Sequence, residues 1–218
     1  MTERKSVGKL PWSDTLDIFD FKGRLDAIAP KTAIDVGVGL CHTPLSKQLK
    51  DYPFDKLAVM DIHEPYIKVL KSQRKTFVAK EMEFYVGKAQ DLDQLLDPSH
   101  RYDCAILLDI VEHIHTNKFD SQEEAKASAL AFLRDLERYV DSVLLWIPLG
   151  YCPITGDPWG GENHEAHKHY STWSGEELLE LDYAIEYYPG FHNPHVQKYW
   201  TPEKKWDCDA CYAFKKIR

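Results

Sequence analysis

Short apolar runs recur along the chain and are separated by stretches with the spacing of amphipathic helices. Runs rich in β-branched and aromatic residues, bounded by polar or turn-forming residues, indicate strands. Seven such runs are predicted strands, at residues 32–36, 56–60, 83–87, 102–108, 142–147, 184–188 and 211–214. The run at 102–108 is apolar almost throughout, which is typical of a central parallel strand covered on both faces.

Helical patterns fill most of the intervals between these strands. We predict helices at about 44–50, 65–74 and 174–181, and a polar turn at 88–92 that leads into a short helix. A further helix begins at Ser121, carries Glu123 and Glu124 in its first turn, and presents an apolar face through Leu130, Leu133, Leu136 and Val140. This alternation predicts an α/β fold: a doubly wound, Rossmann-like, seven-stranded and mostly parallel sheet that binds ligands at the carboxyl ends of its strands.

The length of the chain suits a single domain. It has 218 residues and a mass of 25.3 kDa, and no linker or repeat divides it. One domain is therefore predicted over residues 1–218. Residues 1–30 precede the first predicted strand and include Trp12, Phe21 and Leu25. This apolar content predicts a helical N-terminal extension or a lid.

Charge and cysteine content narrow the partners and the compartment. The net charge of -8 and a pI near 5.7 disfavour a broad phosphate-binding face, although a small basic patch for an RNA end is compatible with them. No apolar leader opens the sequence, and no run approaches the roughly 18 apolar residues of a membrane span. Five cysteines without framework spacing indicate reduced thiols. We therefore expect a soluble, cytoplasmic protein.

A glycine turn follows the first predicted strand. Asp35 ends the apolar run, and Gly37 and Gly39 precede a predicted helix, which together form a strand, a tight turn and a helix start suited to a nucleotide cofactor. The third glycine of the dinucleotide fingerprint would fall at His42, which disfavours NAD and FAD. Asp61 ends the second predicted strand, where an acid can bind both ribose hydroxyls. The alternatives are an ordinary glycine-rich turn and an Asp61 that only caps the next helix.

An acidic and histidine-rich motif follows the fourth predicted strand. Asp109, Glu112 and His113 have spacings that share one helix face, so their side chains can converge. The alternative is a capping box in which Asp109 is the N-cap and Glu112 reaches back to it. The loop after the fifth predicted strand, 142–147, adds three histidines, His164, His167 and His169.

Two carboxylates and two imidazoles form a mixed oxygen and nitrogen donor set. Such a set suits Mn²⁺, Fe²⁺, Co²⁺ or Zn²⁺, and Mg²⁺ when water and substrate oxygens complete the shell. A divalent ion of this kind acts as a Lewis acid on a substrate hydroxyl. Without a metal, His113 or His167 becomes the general base.

The order and spacing of these motifs resemble the class I S-adenosylmethionine-dependent methyltransferases over roughly residues 30–215. The residues that carry this resemblance are 34–39, Asp61, 87–91, 102–103 and 109–113. The resemblance implies that S-adenosylmethionine is the cofactor and that Asp61 holds its ribose hydroxyls. It implies further cofactor contacts from Asp35, Gly37, Gly39, Ile62, Ala89, Gln90 and Leu108. Lys88 departs from the family, which often has an acid near the adenine amino group.

The acid-x-x-Glu-His motif is also similar to that of two groups of metal-dependent O-methyltransferases. The ubiquinone-biosynthesis enzymes share this motif, and the small-RNA 3′-terminal 2′-O-methyltransferases also share the distal His-x-x-x-Trp of 169–173. The resemblance implies metal ligands at Asp109, Glu112, His113 and His169. We predict catalytic roles for His113, His167 and His169. The first position is usually Glu, so Asp109 has a shorter reach. The Trp-containing loop also resembles that of bacterial methyltransferases of glycan or small-molecule pathways.

These observations together predict O-methyl transfer from S-adenosylmethionine to a hydroxyl of a polar small molecule, sugar or glycan, assisted by a divalent metal. The fourth predicted strand does not end in Asn/Asp-Pro-Pro-Tyr, which argues against methylation of DNA base amines. Two alternatives stay open. One is 2′-O-methylation of an RNA 3′ end, and the other is a non-catalytic module that binds the cofactor or a partner.

Overall fold

The computed structural model describes residues 5–13, 15–117, 120–150, 168–189 and 209–218. Its strands are β1 (Lys5–Val7), β2 (Thr32–Val36), β3 (Lys56–Asp61), β4 (Glu81–Val86), β5 (Cys104–Leu108), β6 (Ser142–Leu149), β7 (Ala184–Tyr188) and β8 (Asp209–Lys216). Its helices are α1 (Phe21–Ile28), α2 (Glu64–Ser72), α3 (Leu92–Leu95), α4 (Gln122–Leu136) and α5 (Gly175–Glu180). Each of the seven predicted strands is present, with bounds shifted by a few residues.

All of these strands form one mostly parallel sheet in the order β1-β7-β8-β6-β5-β2-β3-β4. Strands β4, β3, β2, β5 and β6 run parallel to one another, whereas the pairs β6–β8, β8–β7 and β7–β1 are antiparallel. The predicted α/β fold is therefore confirmed. In the described part of the chain the sheet has eight strands, so the predicted number of seven is wrong. The additional strand, β1, has three residues and forms by pairing with the edge strand β7, without an apolar run of its own.

The predicted helix at 44–50 is also wrong, because this segment forms only a short 3-10 helix, Ser46–Leu49. Thr43 and Ser46 bond to each other through their hydroxyls at 2.7 Å, and each hydroxyl also accepts the other residue's backbone N–H at 3.1 Å. Side-chain to backbone bonds of this kind compete with the helical hydrogen-bond ladder. The glycine turn is thus followed by a compact turn that has no α-helix at its end.

Capping boxes begin two of the helices, and the sequence predicted the cap at Ser121. Ser121 and Glu124 form a capping box at the start of α4, and Ser174 and Glu177 form a second one at the start of α5. Each box satisfies backbone N–H groups that a helix start leaves without partners. The buried face of α4 includes Leu133 and Leu136, as predicted; Leu130 is half-buried and Val140 lies beyond the helix.

The sheet separates two apolar clusters. One cluster lies under α3, α4 and α5, and the other lies under α1, α2 and the N-terminal segment. Trp12 and Arg24 extend this second layer towards β7, because both donate to the buried carboxylate of Glu186, at 3.0 and 2.7 Å. Residues before β2 therefore build part of the protein interior. No helix in the described ranges is long and apolar enough to cross a membrane.

Candidate active site

A cleft opens at the carboxyl ends of the parallel strands β2, β3, β4 and β5. The residues predicted to contact the cofactor that line this cleft are Gly37, Gly39, Asp61, Ile62 and Ala89. Asp109 and His113 line the same cleft, from the segment that follows β5. The carboxyl ends of neighbouring parallel strands share one edge of the sheet, and ligands of α/β proteins bind there.

The glycine turn shapes one wall of the cleft. Gly37 has a φ of +76°, and a Cβ atom there would lie 2.2 Å from Cδ1 of Ile110. Both features require glycine, because an L side chain rarely adopts this backbone conformation and no space remains for a methyl group. Gly39 has a φ of +55°, but a Cβ at this position would meet no atom within 4 Å. Its backbone therefore faces open space in the cleft.

Asp61 fixes the glycine turn against the start of α2. Its Oδ2 accepts the backbone N–H of Gly39 at 2.9 Å, and its Oδ1 accepts the backbone N–H of His63 at 2.8 Å. His63, rather than Asp61, is the N-cap of α2. Each carboxylate oxygen can accept more than one hydrogen bond, so these two bonds are compatible with additional bonds from ribose hydroxyls.

Three of the residues predicted to contact the cofactor do not line the cleft. Asp35 is buried beneath the glycine turn, where the loss of solvation, and then the charge of Asp61, raise its pKa well above the usual value. Gln90 instead donates to the backbone carbonyl of His115 at 2.8 Å. Leu108 packs into the apolar cluster next to α1 and α2.

Two ring-bearing residues of the cleft escaped the sequence prediction. His63 and Tyr66 both line it, and their rings meet edge to face with centroids 4.4 Å apart. They lie three residues apart at the start of α2, a spacing that places side chains on one helix face. That spacing, directly after an acid that ends a strand, was the available signal.

Glu112, His113 and His169 come together at the end of the cleft. One donor atom from each residue lies within 4.8 Å of the others. Oε1 of Glu112 is 3.7 Å from Nε2 of His113 and 3.9 Å from Nε2 of His169. The Glu112 side chain is only 2% exposed, and neither of its oxygens has a hydrogen-bond partner among the described residues. Burial, and then the charge of Asp109, raise the pKa of Glu112 well above its usual value.

The backbone carbonyl of Lys168, in the loop that carries His169, orients His113. Its Nδ1 lies 2.9 Å from the carbonyl oxygen of Lys168, so Nδ1 carries the proton and donates it to this bond. The lone pair is then on Nε2, the nitrogen that faces Glu112. A histidine ligand of a metal ion is commonly fixed in this way, through a hydrogen bond from its other nitrogen.

Backbone hydrogen bonds join the loop that carries His169 to the segment that carries Glu112. The N–H groups of Tyr170 and Ser171 donate to the Glu112 carbonyl at 2.8 and 3.2 Å. The buried Trp173 anchors the same loop, because its Nε1 donates to Ser171 Oγ at 3.1 Å and its carbonyl accepts the Gly150 N–H at 2.7 Å. His164 and His167, the other predicted histidines of this loop, lie outside the described residues.

Asp109 departs from its predicted roles in two respects. The alternative of an Asp109 capping box is not adopted, because Val111–His113 forms one 3-10 turn whose N-cap is Ile110, without a side-chain cap bond. Among the described residues, Asp109 also does not belong to the cluster of Glu112, His113 and His169. Burial raises the pKa of the Asp109 carboxyl to about 7.

At the sequence level, no protein-family model and no curated protein matches the chain. Solved structures do match. The methyltransferase domain of bacterial CtHen1-CN is 15% identical with a TM-score of 0.51, and the match covers 87% of this chain and 92% of that one. TehB from Haemophilus influenzae is 11% identical with a TM-score of 0.62, over 94% and 63% of the two chains. The N-terminal domain of EvdMO1 with SAH bound is 11% identical with a TM-score of 0.56, over 94% and 85%.

The chain has the class I methyltransferase fold. At these identities the likeness concerns the fold, and it confirms the architecture implied by the order of the sequence motifs. In this fold, the cleft lies beside the cluster of Glu112, His113 and His169. His113 belongs to both of them, because it lines the cleft and contributes a donor atom to the cluster.

The residues present fit the cofactor and the metal that the resemblance implies. For the cofactor, the open space at Gly39 and the spare acceptor capacity of Asp61 lie on the same cleft. For the metal, Glu112 offers two buried oxygens without partners, next to two imidazole nitrogens. Two ligands about 2.1 Å from one ion at a tetrahedral angle lie roughly 3.4 Å apart. The observed separations of 3.7 and 3.9 Å are close to that value.

Proposed function

We propose that this chain is an S-adenosylmethionine-dependent O-methyltransferase that acts on a hydroxyl of a polar small molecule or sugar, with a divalent ion held by Glu112, His113 and His169. The observation that carries the proposal is the state of Glu112. Its carboxylate is buried, has no hydrogen-bond partner in the described ranges, and lies between two imidazole nitrogens at the end of the cleft. A buried carboxylate without a partner is strongly unfavourable unless it binds a cation or takes up a proton, and the two imidazole nitrogens beside Glu112 favour a cation.

The chemistry is a direct displacement at the methyl carbon. The bond between sulfur and this carbon breaks, with its electron pair going to sulfur, while the acceptor oxygen forms the new bond and its proton passes to solvent water. The divalent ion, when bound, supplies Lewis acidity that lowers the pKa of the acceptor hydroxyl. The protein supplies position: Asp61 and the glycine turn hold the nucleoside, and Lys168 fixes the His113 ring through its carbonyl.

Several features support a small polar acceptor. The net charge of -8 is unfavourable for extended contact with phosphates. The histidine loop also brings aromatic and basic side chains beside the cluster: the rings of His115 and Tyr170 stack with centroids 3.7 Å apart, and Lys168 Nζ lies 4.8 Å from the Tyr170 centroid.

Within the described ranges, Cys41, Cys104 and Cys211 are buried free thiols, which supports the expected cytoplasmic location.

A second candidate function is 2′-O-methylation of an RNA 3′ end. It is favoured by the sequence resemblance at 109–113 and 169–173 to the small-RNA enzymes, together with the fold likeness to the methyltransferase domain of CtHen1-CN. The two candidates share the cofactor and the metal. They differ in the response to salt, because binding that depends on phosphate contacts weakens steeply as salt increases.

The test combines metal analysis with methyl-transfer assays on sugars, catechols and RNA ends, with and without a chelator. We expect turnover on a hydroxyl acceptor to fall at least about 100-fold on chelation and in His169→Ala, while calorimetry still detects S-adenosylhomocysteine binding. Robust transfer that survives both treatments would refute the metal. Cofactor binding without any acceptor-dependent turnover would favour the non-catalytic module, and salt-sensitive turnover on RNA alone would favour the second candidate.

A further inference from the structure

Asp109 and Glu112 are the two acids of the motif after β5, and the resemblance assigns both of them to the metal. The structure places them in different surroundings, although the charge of Asp109 still acts on Glu112. The donor atoms of Glu112, His113 and His169 lie within 4.8 Å of one another, and among the described residues Asp109 does not join this group. Asp109 instead lines the cleft, together with Gly37, Gly39 and Asp61.

The backbone at Asp109 explains this separation. Its N–H still bonds to the carbonyl of Trp146 at 2.9 Å, as in the sheet, but its φ is +53°. Residues other than glycine adopt this left-handed conformation infrequently, and such residues concentrate at functional sites. The reversal brings the side chain of Ile110 against Gly37, into the space that a Cβ would occupy. Asp109 is therefore held at the edge of the glycine turn.

The carboxyl of Asp109 has an unmet requirement. Part of the residue is exposed, but its Oδ1 is shielded from solvent and has no hydrogen-bond partner in the ranges that the structure describes. A shielded carboxylate oxygen is stable only beside a donor or a cation. No lysine or arginine is among the described residues that line the cleft. A cationic group of a ligand bound in this cleft would satisfy Asp109.

S-adenosylmethionine carries two cations at its methionine end, the α-ammonium group and the sulfonium. We propose that Asp109 binds a cationic group of this methionine end, and that the protein ligands of the metal are Glu112, His113 and His169 alone. The inference rests on the proposed function, because it requires this cofactor in the cleft and an ion at the cluster. It departs from the resemblance, in which the first acid of the motif is also a metal ligand.

The test measures cofactor and metal binding separately, each without the other ligand. Calorimetry follows S-adenosylhomocysteine and S-adenosylmethionine, and electron paramagnetic resonance of free Mn²⁺ follows the metal. We expect Asp109→Asn to weaken S-adenosylmethionine binding by about tenfold or more, since an interaction with a charged group is lost, and to leave the Kd for Mn²⁺ within about twofold. His169→Ala is the matched control and should show the reverse pattern.

Asp109→Glu provides a second and sharper variant, because it extends the reach of the acid by one methylene. If Asp109 were a metal ligand with a short reach, the longer side chain would strengthen Mn²⁺ binding. We expect no such gain, and weaker cofactor binding instead. The two ligands also identify the cation: equal losses for S-adenosylmethionine and S-adenosylhomocysteine indicate the α-ammonium group, which both carry, and a larger loss for S-adenosylmethionine indicates the sulfonium.

The outcomes separate this inference from the proposed function. Equal losses of Mn²⁺ affinity in Asp109→Asn and His169→Ala, with cofactor binding unchanged in both, would overturn the inference and leave the methyltransferase proposal intact. Absence of cofactor binding by the wild-type chain would refute the proposed function itself. Circular dichroism of each variant establishes that it is folded, and either Asp109 variant alone suffices for the comparison with His169→Ala.

Discussion

Asp61 and Glu112 are two carboxylates at the same edge of the sheet, and the protein treats them in opposite ways. Asp61 accepts backbone N–H groups from Gly39 and His63 at 2.9 and 2.8 Å. Glu112 accepts no hydrogen bond from the described residues, and two imidazole nitrogens lie 3.7 and 3.9 Å from its Oε1. An acid that the backbone satisfies shapes a binding surface in the free protein, whereas a buried acid without partners is completed by a ligand.

Neutralising Glu112 should have the largest effect of the experiments that compare the two acids. Glu112→Gln keeps the shape of the side chain and removes its charge, so we expect Mn²⁺ affinity to fall by about 100-fold or more. The metal-free protein should not lose stability, because an uncompensated buried charge is removed. Mn²⁺ titration and urea unfolding in the presence of a chelator measure the two quantities. A clear decrease in the metal-free unfolding free energy would show that Glu112 is already satisfied by the protein.

Neutralising Asp61 should have the opposite effect on stability. In Asp61→Asn one of the two backbone N–H groups faces an amide NH₂, so we expect the unfolding free energy to fall by about 2 kcal/mol. Cofactor affinity should fall as well, because the glycine turn loses its support. The exposed Asp51 offers a matched control, and Asp51→Asn should change neither quantity. Unchanged stability in Asp61→Asn would remove the contrast between the two acids.

The pH dependence of stability should show the smallest effect, through Asp35. Burial and the charge of Asp61 raise the pKa of Asp35 in the folded protein above its unfolded value. The folded state then binds more protons than the unfolded state between these two pKa values, so this group's contribution is present below the unfolded pKa and is lost as the pH rises through the folded pKa. One proton limits the slope to about 1.4 kcal/mol per pH unit.

The measurement is the unfolding free energy of the cofactor-free protein from pH 4 to pH 8, in wild type and Asp35→Asn. Asparagine does not titrate, so the variant should lack this component, and the difference between variant and wild type should move in favour of the variant as the pH rises. A constant difference across this range would show that Asp35 has the same pKa in the folded and unfolded chains.

The sequence was most informative where structure depends on local pattern. The apolar runs predicted the strands, and Ser121 and Ser174 predicted the starts of α4 and α5, because apolar burial and capping act over a few residues. The edge strand β1 escaped prediction because its partner, β7, lies about 180 residues away and its own residues carry no strand pattern. The helix predicted at 44–50 failed because hydroxyl to backbone bonds of Thr43 and Ser46 compete with the helical ladder.

The candidate site was predictable in its residue types more than in its geometry. The spacing of Asp109, Glu112 and His113 suggested convergence on one helix face, but the segment forms a single 3-10 turn preceded by a residue with positive φ. Such a backbone reversal depends on the neighbouring glycine turn and on strand β6, which a local pattern does not describe. The roles of Gln90 and Leu108 in other contacts are likewise set by tertiary packing.

The two hydrogen bonds from the Tyr170 and Ser171 amides to the Glu112 carbonyl link the segments that carry the histidines. These bonds already hold the two segments together in the folded protein. The entropy loss of ordering them therefore occurs during folding and not when the metal binds. We therefore expect metal uptake to leave amide hydrogen exchange in these two segments almost unchanged. A rigid cage of this kind selects ions by size and ligand preference, because it cannot adjust its donors to a poorly matched one.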